Sequence, residues 1–103
     1  MIIVCINSKK MTIDGHAGYA RVGKDIICSA VSVLSFNLIN SIDSLTEDLI
    51  EYQINTPGHI NIEFKNLSES GKLLRDSFIL GISEIASVYP EYVQIKGTFA
   101  ERA

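Results

Sequence analysis

Residues 50–65, IEYQINTPGHINIEFK, contain two runs in which apolar and polar residues alternate, with a Pro-Gly turn signal between them. A strand that alternates in this way buries one face of a sheet and exposes the other. The segment therefore predicts an antiparallel hairpin. The apolar face of that hairpin needs a second layer of structure to cover it.

Two helical segments can supply that layer. Between residues 70 and 89 apolar residues recur with helical spacing while polar residues occupy the opposite side, and Pro90 prevents the helix from continuing. From residue 26 to residue 39 apolar residues fall on nearly every face, which is typical of a largely buried helix. Asp25 directly precedes this first helix and is its natural N-cap.

Three further strands complete the predicted sheet. Residues 2–7 are predicted to form a buried strand, residues 11–16 its hairpin partner, and residues 93–99 the last strand. The element order is β-β-α-β-β-α-β, so we predict an α+β fold with two helices packed on a mostly antiparallel sheet. We expect one domain over residues 1–103. An exposed sheet edge is also expected, where a second copy or an extended peptide can pair.

Composition excludes several classes of function. The net charge of −3 and the absence of a basic cluster argue against nucleic acid as the main partner. The first lysines follow the N-terminal apolar residues, the reverse of a secretory signal, and serines interrupt the apolar stretch 26–40, so no membrane segment is expected. Cys5 and Cys28 are too few for a disulfide framework. These features predict a soluble, cytoplasmic protein.

Residues 13–32, IDGHAGYARVGKDIICSAVS, place a histidine and a cysteine on either side of a glycine-containing loop. If Asp25 caps the helix, Cys28 lies in its first turn, where free N–H groups favour a thiolate and can hold an oxyanion. If His16 meets that thiol, it can pair with the thiolate and later protonate a leaving amine. Ser32 follows Cys28 by one turn on the same face.

Each of these residues also has a purely structural interpretation. A buried cysteine is commonly a small apolar residue without chemistry, and Asp25 can act as a cap alone. His16 can be a solvated loop residue, and Ser32 a hydroxyl bonded to its own helix backbone. Residue types and spacing leave both interpretations open, although Asp25 is expected to cap the helix in either case.

The segments GHAG (15–18) and DIICSAVS (25–32), at this spacing, resemble the ribosomal-processing cysteine protease family Prp. The size of the whole chain and its element order are similar to that family as well. The resemblance implies a catalytic dyad and three supporting residues, namely His16 and Cys28 with Gly15, Asp25 and Ser32. Ser29 replaces the usual alanine after the cysteine and Ile27 a common valine, and both residues suit a helix.

The resemblance also implies a function. Members of that family are cytoplasmic bacterial endopeptidases that form homodimers. They trim an N-terminal extension from the large-subunit ribosomal protein numbered twenty-seven. That extension ends in aromatic and aliphatic residues, so we expect an apolar groove beside Cys28. The loop between the histidine and the cysteine is expected to move to admit peptide, which makes Tyr19 and Arg21 candidate peptide contacts. No cofactor and no metal are implied.

Other sites and functions compete with this one. Cys5 and His59 could join His16 and Cys28 in a zinc site, but no pair shows the short spacing of known metal ligands. Cys5 is predicted to lie in the core and His59 in a solvated turn. Two alternatives stay open: a ribosome-assembly or peptide-binding dimer that uses the same groove without cleavage, and a redox sensor built on Cys28, for which a buried Cys5 is a poor resolving partner.

Overall fold

The computed structural model describes residues 1–21, 24–55 and 58–97 and shows two helices packed on one face of a five-stranded sheet. The elements are β1 (Ile2–Ile6), β2 (Lys10–Gly15), α1 (Ile26–Leu45), β3 (Leu49–Asn55), β4 (His59–Lys65), α2 (Glu69–Val88) and β5 (Val93–Gly97). The predicted fold class and element order are confirmed. The predicted last strand reached residue 99, and its final two positions lie outside the described residues.

The sheet has the strand order β3-β4-β2-β1-β5. The pairs β1–β2, β2–β4 and β3–β4 are antiparallel, whereas β1 and β5 are parallel. Both predicted hairpins are therefore present. In the β2–β4 pair, Asp14 lies opposite His59, so the end of β2 and the beginning of β4 meet at one edge of the molecule.

The core lies between the sheet and the helices. Every second residue of the central strands is buried there, as the alternation in residues 60–65 predicts. The buried strand residues are Ile2, Val4, Ile6, Met11, Ile13, Ile60, Ile62, Phe64 and Val93, and the helices add Ile27, Val31, Leu38, Ile39, Ile42, Phe78, Ile79 and Ile82. Full burial of one such side chain is worth about 1.5–3 kcal/mol, so this layer fixes the position of α1 over the sheet.

The opposite face of the sheet is open, and Cys5 lies on it with an exposed side chain. The prediction that Cys5 belongs to the core is wrong. Its strand, IIVCI, is apolar throughout and so conceals the alternation that turns every second side chain away from the helices. Cys28 packs against the core on the helix side. The two free cysteines thus lie on opposite faces of the sheet, which excludes a disulfide between them within one chain.

Helix α1 runs beyond Ile39 to Leu45. Of the helices described, it is the one that is long and apolar enough, by length and composition alone, to cross a membrane. By this test, the serines of α1 do not by themselves exclude a membrane segment, contrary to the expectation from the sequence. The core helix of a soluble protein passes the same test, and one face of α1 packs in the core, where the buried Ser35 hydroxyl donates to the Val31 carbonyl at 2.7 Å.

Candidate active site

Asp25 begins helix α1 as its N-cap, as predicted. Its Oδ1 atom accepts hydrogen bonds from the backbone N–H groups of Ile27 and Cys28, each at 3.0 Å. These two bonds satisfy donors that the first turn of a helix cannot pair internally. Cys28 is consequently the third residue of α1, with its thiol at the positive end of the helix.

The second oxygen of Asp25 holds the loop between the histidine and the cysteine. Oδ2 accepts from the N–H groups of Tyr19 at 3.1 Å and Ala20 at 3.4 Å. Burial of the carboxyl raises its pKa, but hydrogen bonds from Cys28, Ala20 and Tyr19 outweigh this effect and leave the pKa of Asp25 below its ordinary value. Asp25 is thus an ionised clamp that joins the loop to the helix, a role beyond capping.

The same contacts overturn the expectation that N–H groups in the first turn of α1 hold an oxyanion. The N–H groups of Ile27 and Cys28 both donate to Asp25, so they are not free to hold an oxyanion. The donor that reaches the thiol is instead the backbone N–H of Ala17, which lies 3.2 Å from Cys28 Sγ.

His16 directly follows the last residue of β2. Gly15 redirects the chain there with a φ of +101°, and a Cβ at this position would lie 2.3 Å from the Met1 carbonyl oxygen. The Gly15 N–H donates to the Gly58 carbonyl at 2.8 Å, and the Met1 nitrogen donates to the His16 carbonyl. The backbone on both sides of the His16 α-carbon is therefore held in place, while its imidazole is exposed.

One cavity of about 260 Å³ contains the predicted dyad. His16, Cys28, Ser32 and Gly15 all line it, and the rest of its wall is largely apolar, as expected beside Cys28. The remaining lining residues are Ile2, Ile13, Val31, Phe36, Gly58, His59 and Ile60. In the part of the chain that the structure describes, the Ala17 N–H donates to the Cys28 sulfur, and no hydrogen bond joins this sulfur to the His16 imidazole.

Tyr19 and Arg21 do not line this cavity in the present conformation. The Tyr19 ring packs edge-on against Tyr89 and Tyr92, with centroid distances of 6.0 and 5.3 Å. Arg21 is exposed, and its carbonyl accepts from the Lys24 N–H at 2.9 Å within the loop. Tyr19 therefore anchors the loop to the turn between α2 and β5 instead of facing the position of a peptide beside Cys28.

His59 is more than the solvated turn residue predicted from the sequence. It begins β4, forms part of the cavity wall, and its Nδ1 atom contacts the Asp14 carboxylate across the β2–β4 pair. Because the neighbouring Ile13 and Ile60 face the helices, Asp14 and His59 point to the open face. Asp14 thus holds the His59 imidazole across the strand pair, whereas His16 and His59 both line the cavity that contains Cys28.

The nominal zinc ligands do not converge, since Cys5 lies on the opposite face of the sheet from Cys28. Within residues 1–21, 24–55 and 58–97, no group of three or more His, Cys, Asp or Glu residues is placed to hold a metal ion.

Sequence reasoning missed three cavity residues, namely Phe36, Gly58 and His59. They reach the site through sheet pairing and helix packing.

Comparison with known proteins places this site in a family. The family model described as Cysteine protease Prp matches residues 1–94. The ribosomal processing cysteine protease Prp of Staphylococcus aureus is 28% identical over 85 residues, which cover 80% of this chain and 79% of the relative. The protein of the same name from Mycoplasma pneumoniae is 26% identical over 98 residues, covering 93% and 94% of the two chains.

Solved structures agree with this assignment. The crystal structure of S. aureus Prp with a covalently linked product peptide superposes with a TM-score of 0.86 over 94% of this chain and 97% of that one, and its 21% identity shows a shared fold. A protein from Streptococcus mutans superposes with a TM-score of 0.78 at 30% identity, covering 94% and 91% of the two chains. The chain therefore belongs to the cysteine protease Prp family and is a cysteine protease.

Proposed function

We propose that Cys28 is the nucleophile and His16 the general acid and base of a peptidase. The observation that supports this most directly is the Ala17 N–H at 3.2 Å from Cys28 Sγ, because it brings the residue next to His16 against the thiol. Asp25 maintains this arrangement by bonding the loop and the first turn of α1 at once. These contacts support a dyad that is assembled before a peptide arrives.

The proposed reaction follows the usual cysteine peptidase sequence. The Cys28 thiolate attacks the carbonyl carbon of the scissile bond, and protonated His16 donates its proton to the leaving amine nitrogen. A thioester between the sulfur and the N-terminal part of the substrate results. His16 then takes a proton from water, whose oxygen attacks the thioester, and the carboxylate product leaves as the thiolate is restored. The Ser32 hydroxyl, on the same cavity wall, assists by hydrogen bonding to the thiolate or to the substrate.

For the substrate, we propose the N-terminal extension of the large-subunit ribosomal protein numbered twenty-seven. The largely apolar cavity beside Cys28 suits the aromatic and aliphatic residues at which that extension ends. Similar proteins named ribosomal processing proteases support the choice, and S. aureus Prp has been crystallised with a substrate peptide. Residues 1–103 would then form a single protease domain that acts in the bacterial cytoplasm without a cofactor.

We also propose that the protein is a homodimer. Strand β3 lies at the edge of the sheet, and its Tyr52 and Ile54 side chains are exposed on the face that the helices cover elsewhere. A second copy paired at this edge would shield both residues. Sedimentation equilibrium of the wild-type protein and of Tyr52→Glu tests this proposal: a dimer that the variant weakens supports it, and a wild-type monomer contradicts it.

The substrate proposal is tested by incubating the extended ribosomal protein of the same organism with wild-type and Cys28→Ala proteins. Mass spectrometry is expected to show one N-terminal cut by the wild type and none by Cys28→Ala, while Cys28→Ala still binds the substrate. Binding by both proteins without any cut would favour the peptide-binding dimer. An uncut and unbound substrate would overturn the assignment of the ribosomal protein.

A further inference from the structure

Gly58 lies directly beneath the His16 imidazole. It precedes β4 with a φ of +91°, a backbone conformation that glycine adopts and residues with a side chain rarely do. A Cβ built at Gly58 would lie 2.9 Å from His16 Nε2 and 3.4 Å from His16 Cε1. The first distance is shorter than real Cβ contacts, so any side chain here would displace the ring.

The same glycine is bonded to the residue that precedes His16. The Gly58 carbonyl accepts the Gly15 N–H at 2.8 Å, one step beyond the Asp14–His59 pair at the end of the β2–β4 ladder. This hydrogen bond therefore links the backbone of Gly58, against which the imidazole lies, to the backbone that carries His16. Gly15, His16, Cys28 and Gly58 all line the same cavity.

We propose that Gly58 is a positioning residue for His16, because the space left by its missing side chain sets where the imidazole stands relative to Cys28. This inference rests on the proposed function of His16 as the general acid and base. Nε2 is one of the two ring nitrogens that can carry the transferred proton. A misplacement of about 1 Å in a catalytic group can cost about 100-fold in rate.

Kinetics of three variants separate ring displacement from backbone strain. In Gly58→Ala and Gly58→Asn we expect kcat to fall by about 10- to 100-fold with little change in KM, because the ring moves while the peptide site remains. Asn tolerates a positive φ better than Ala, so recovery of kcat in Gly58→Asn would contradict the proposal. Gly18→Ala is the strain control, since Gly18 has a φ of +73° and open space where a Cβ would lie. Its kcat is expected to fall much less.

A spectroscopic readout tests the contact independently of cleavage. In the wild-type protein we expect a nuclear Overhauser effect between the His16 Hε1 proton and the Gly58 Hα protons. In Gly58→Ala we expect the chemical shift of the His16 Hε1 proton to change, because the ring is displaced. Absence of the wild-type contact overturns the proposal even if the Gly58 variants fail to fold.

The same experiments separate this inference from the proposed function. Cleavage by His16→Ala at the wild-type rate would refute the catalytic role of His16, whatever the contact shows. A normal His16→Ala defect together with Gly58→Ala kinetics within about twofold of wild type, and an unchanged chemical shift of His16 Hε1, would refute the role of Gly58 alone.

Discussion

The backbone N–H of Ala17 donates a hydrogen bond to Cys28 Sγ across a sequence separation of 11 residues. This bond brings the end of β2 against the start of α1. The loop that connects them is held by the Asp25 carboxylate and by the Tyr19 ring. The folded chain therefore brings the backbone next to His16 against the Cys28 thiol, and both residues line one cavity. The residues around this cavity and its loop lead to the predictions that follow.

The Asp25 clamp predicts a pH-dependent contribution to stability. Hydrogen bonds hold the folded-state pKa of Asp25 below its ordinary value of 3.8, so the ionised carboxylate stabilises the fold above that pH. The contribution is lost as the pH falls through the folded-state pKa. We expect the difference in free energy of unfolding between wild type and Asp25→Asn to be constant at neutral pH and to shrink below about pH 4.

Urea denaturation at a series of pH values measures this difference. Asp43→Asn is a suitable control, because Asp43 is exposed on the same helix. A difference for Asp25→Asn that stays the same from neutral to acidic pH would show that the carboxylate charge does not contribute.

Tyr19 is predicted to act through its ring. An edge-on aromatic pair contributes about 0.5–1.5 kcal/mol beyond its buried area, and Tyr19 makes two such contacts. In Tyr19→Ala we expect faster hydrogen exchange at the amides of residues 19 and 20, which donate to Asp25. Tyr19→Phe keeps the ring and should exchange as the wild type does. Equal protection in Tyr19→Ala and wild type would show that the ring does not hold the loop.

Ser32 is predicted to assist catalysis without stabilising the fold. Its side chain lines the cavity one turn after Cys28, so Ser32→Ala should lower kcat/KM by about two- to tenfold, the effect of one neutral hydrogen bond of about 0.5–1.5 kcal/mol. Ser29→Ala is the matched control, because the Ser29 hydroxyl donates to the Asp25 carbonyl at 3.1 Å and lies outside the cavity lining. Equal kinetics in Ser32→Ala and wild type would remove Ser32 from the mechanism.

Phe36 is predicted to contact the apolar part of the substrate. Its ring lines the cavity and is 38% exposed, whereas Val33 on the same helix is 65% exposed and lies outside the lining. Loss of a partly buried aromatic contact of about 1.4 kcal/mol corresponds to a tenfold weaker interaction. We therefore expect Phe36→Ala to raise KM by about tenfold with kcat nearly unchanged, and Val33→Ala to leave both constants unchanged. A lower kcat with an unchanged KM in Phe36→Ala would contradict a binding role.

Local spacing made much of this site predictable. Asp25 lies three residues before Cys28, so a helix that begins at Ile26 necessarily brings its cap and its thiol together. The alternation of residues 50–65 predicted the hairpin in the same way. The predicted buried face is present in β4 but not in β3, whose Tyr52 and Ile54 are exposed because this strand lies at the edge of the sheet. Helical spacing also placed Ser32 beside Cys28.

Features that depend on packing between distant elements were not predictable. Gly58 reaches His16 only because β4 pairs with β2, and the sequence before His59 shows no more than a turn. The exposure of Cys5 follows from a sheet covered on one side, which an all-apolar strand cannot reveal. Asp25 was recognised as a cap, but the N–H groups that it occupies could not be assigned until the loop was placed.

The central claim is that Cys28 and His16, and not the other cysteine and histidine, perform the cleavage. Its most direct test is the rate of cleavage of the extended ribosomal protein by four variants, with Cys5→Ala matched to Cys28→Ala and His59→Ala matched to His16→Ala. We predict that Cys28→Ala abolishes cleavage, that His16→Ala lowers kcat by about 100-fold or more, and that Cys5→Ala and His59→Ala cleave within a few-fold of wild type. Cleavage retained by Cys28→Ala, or a greater loss in His59→Ala than in His16→Ala, would contradict the account.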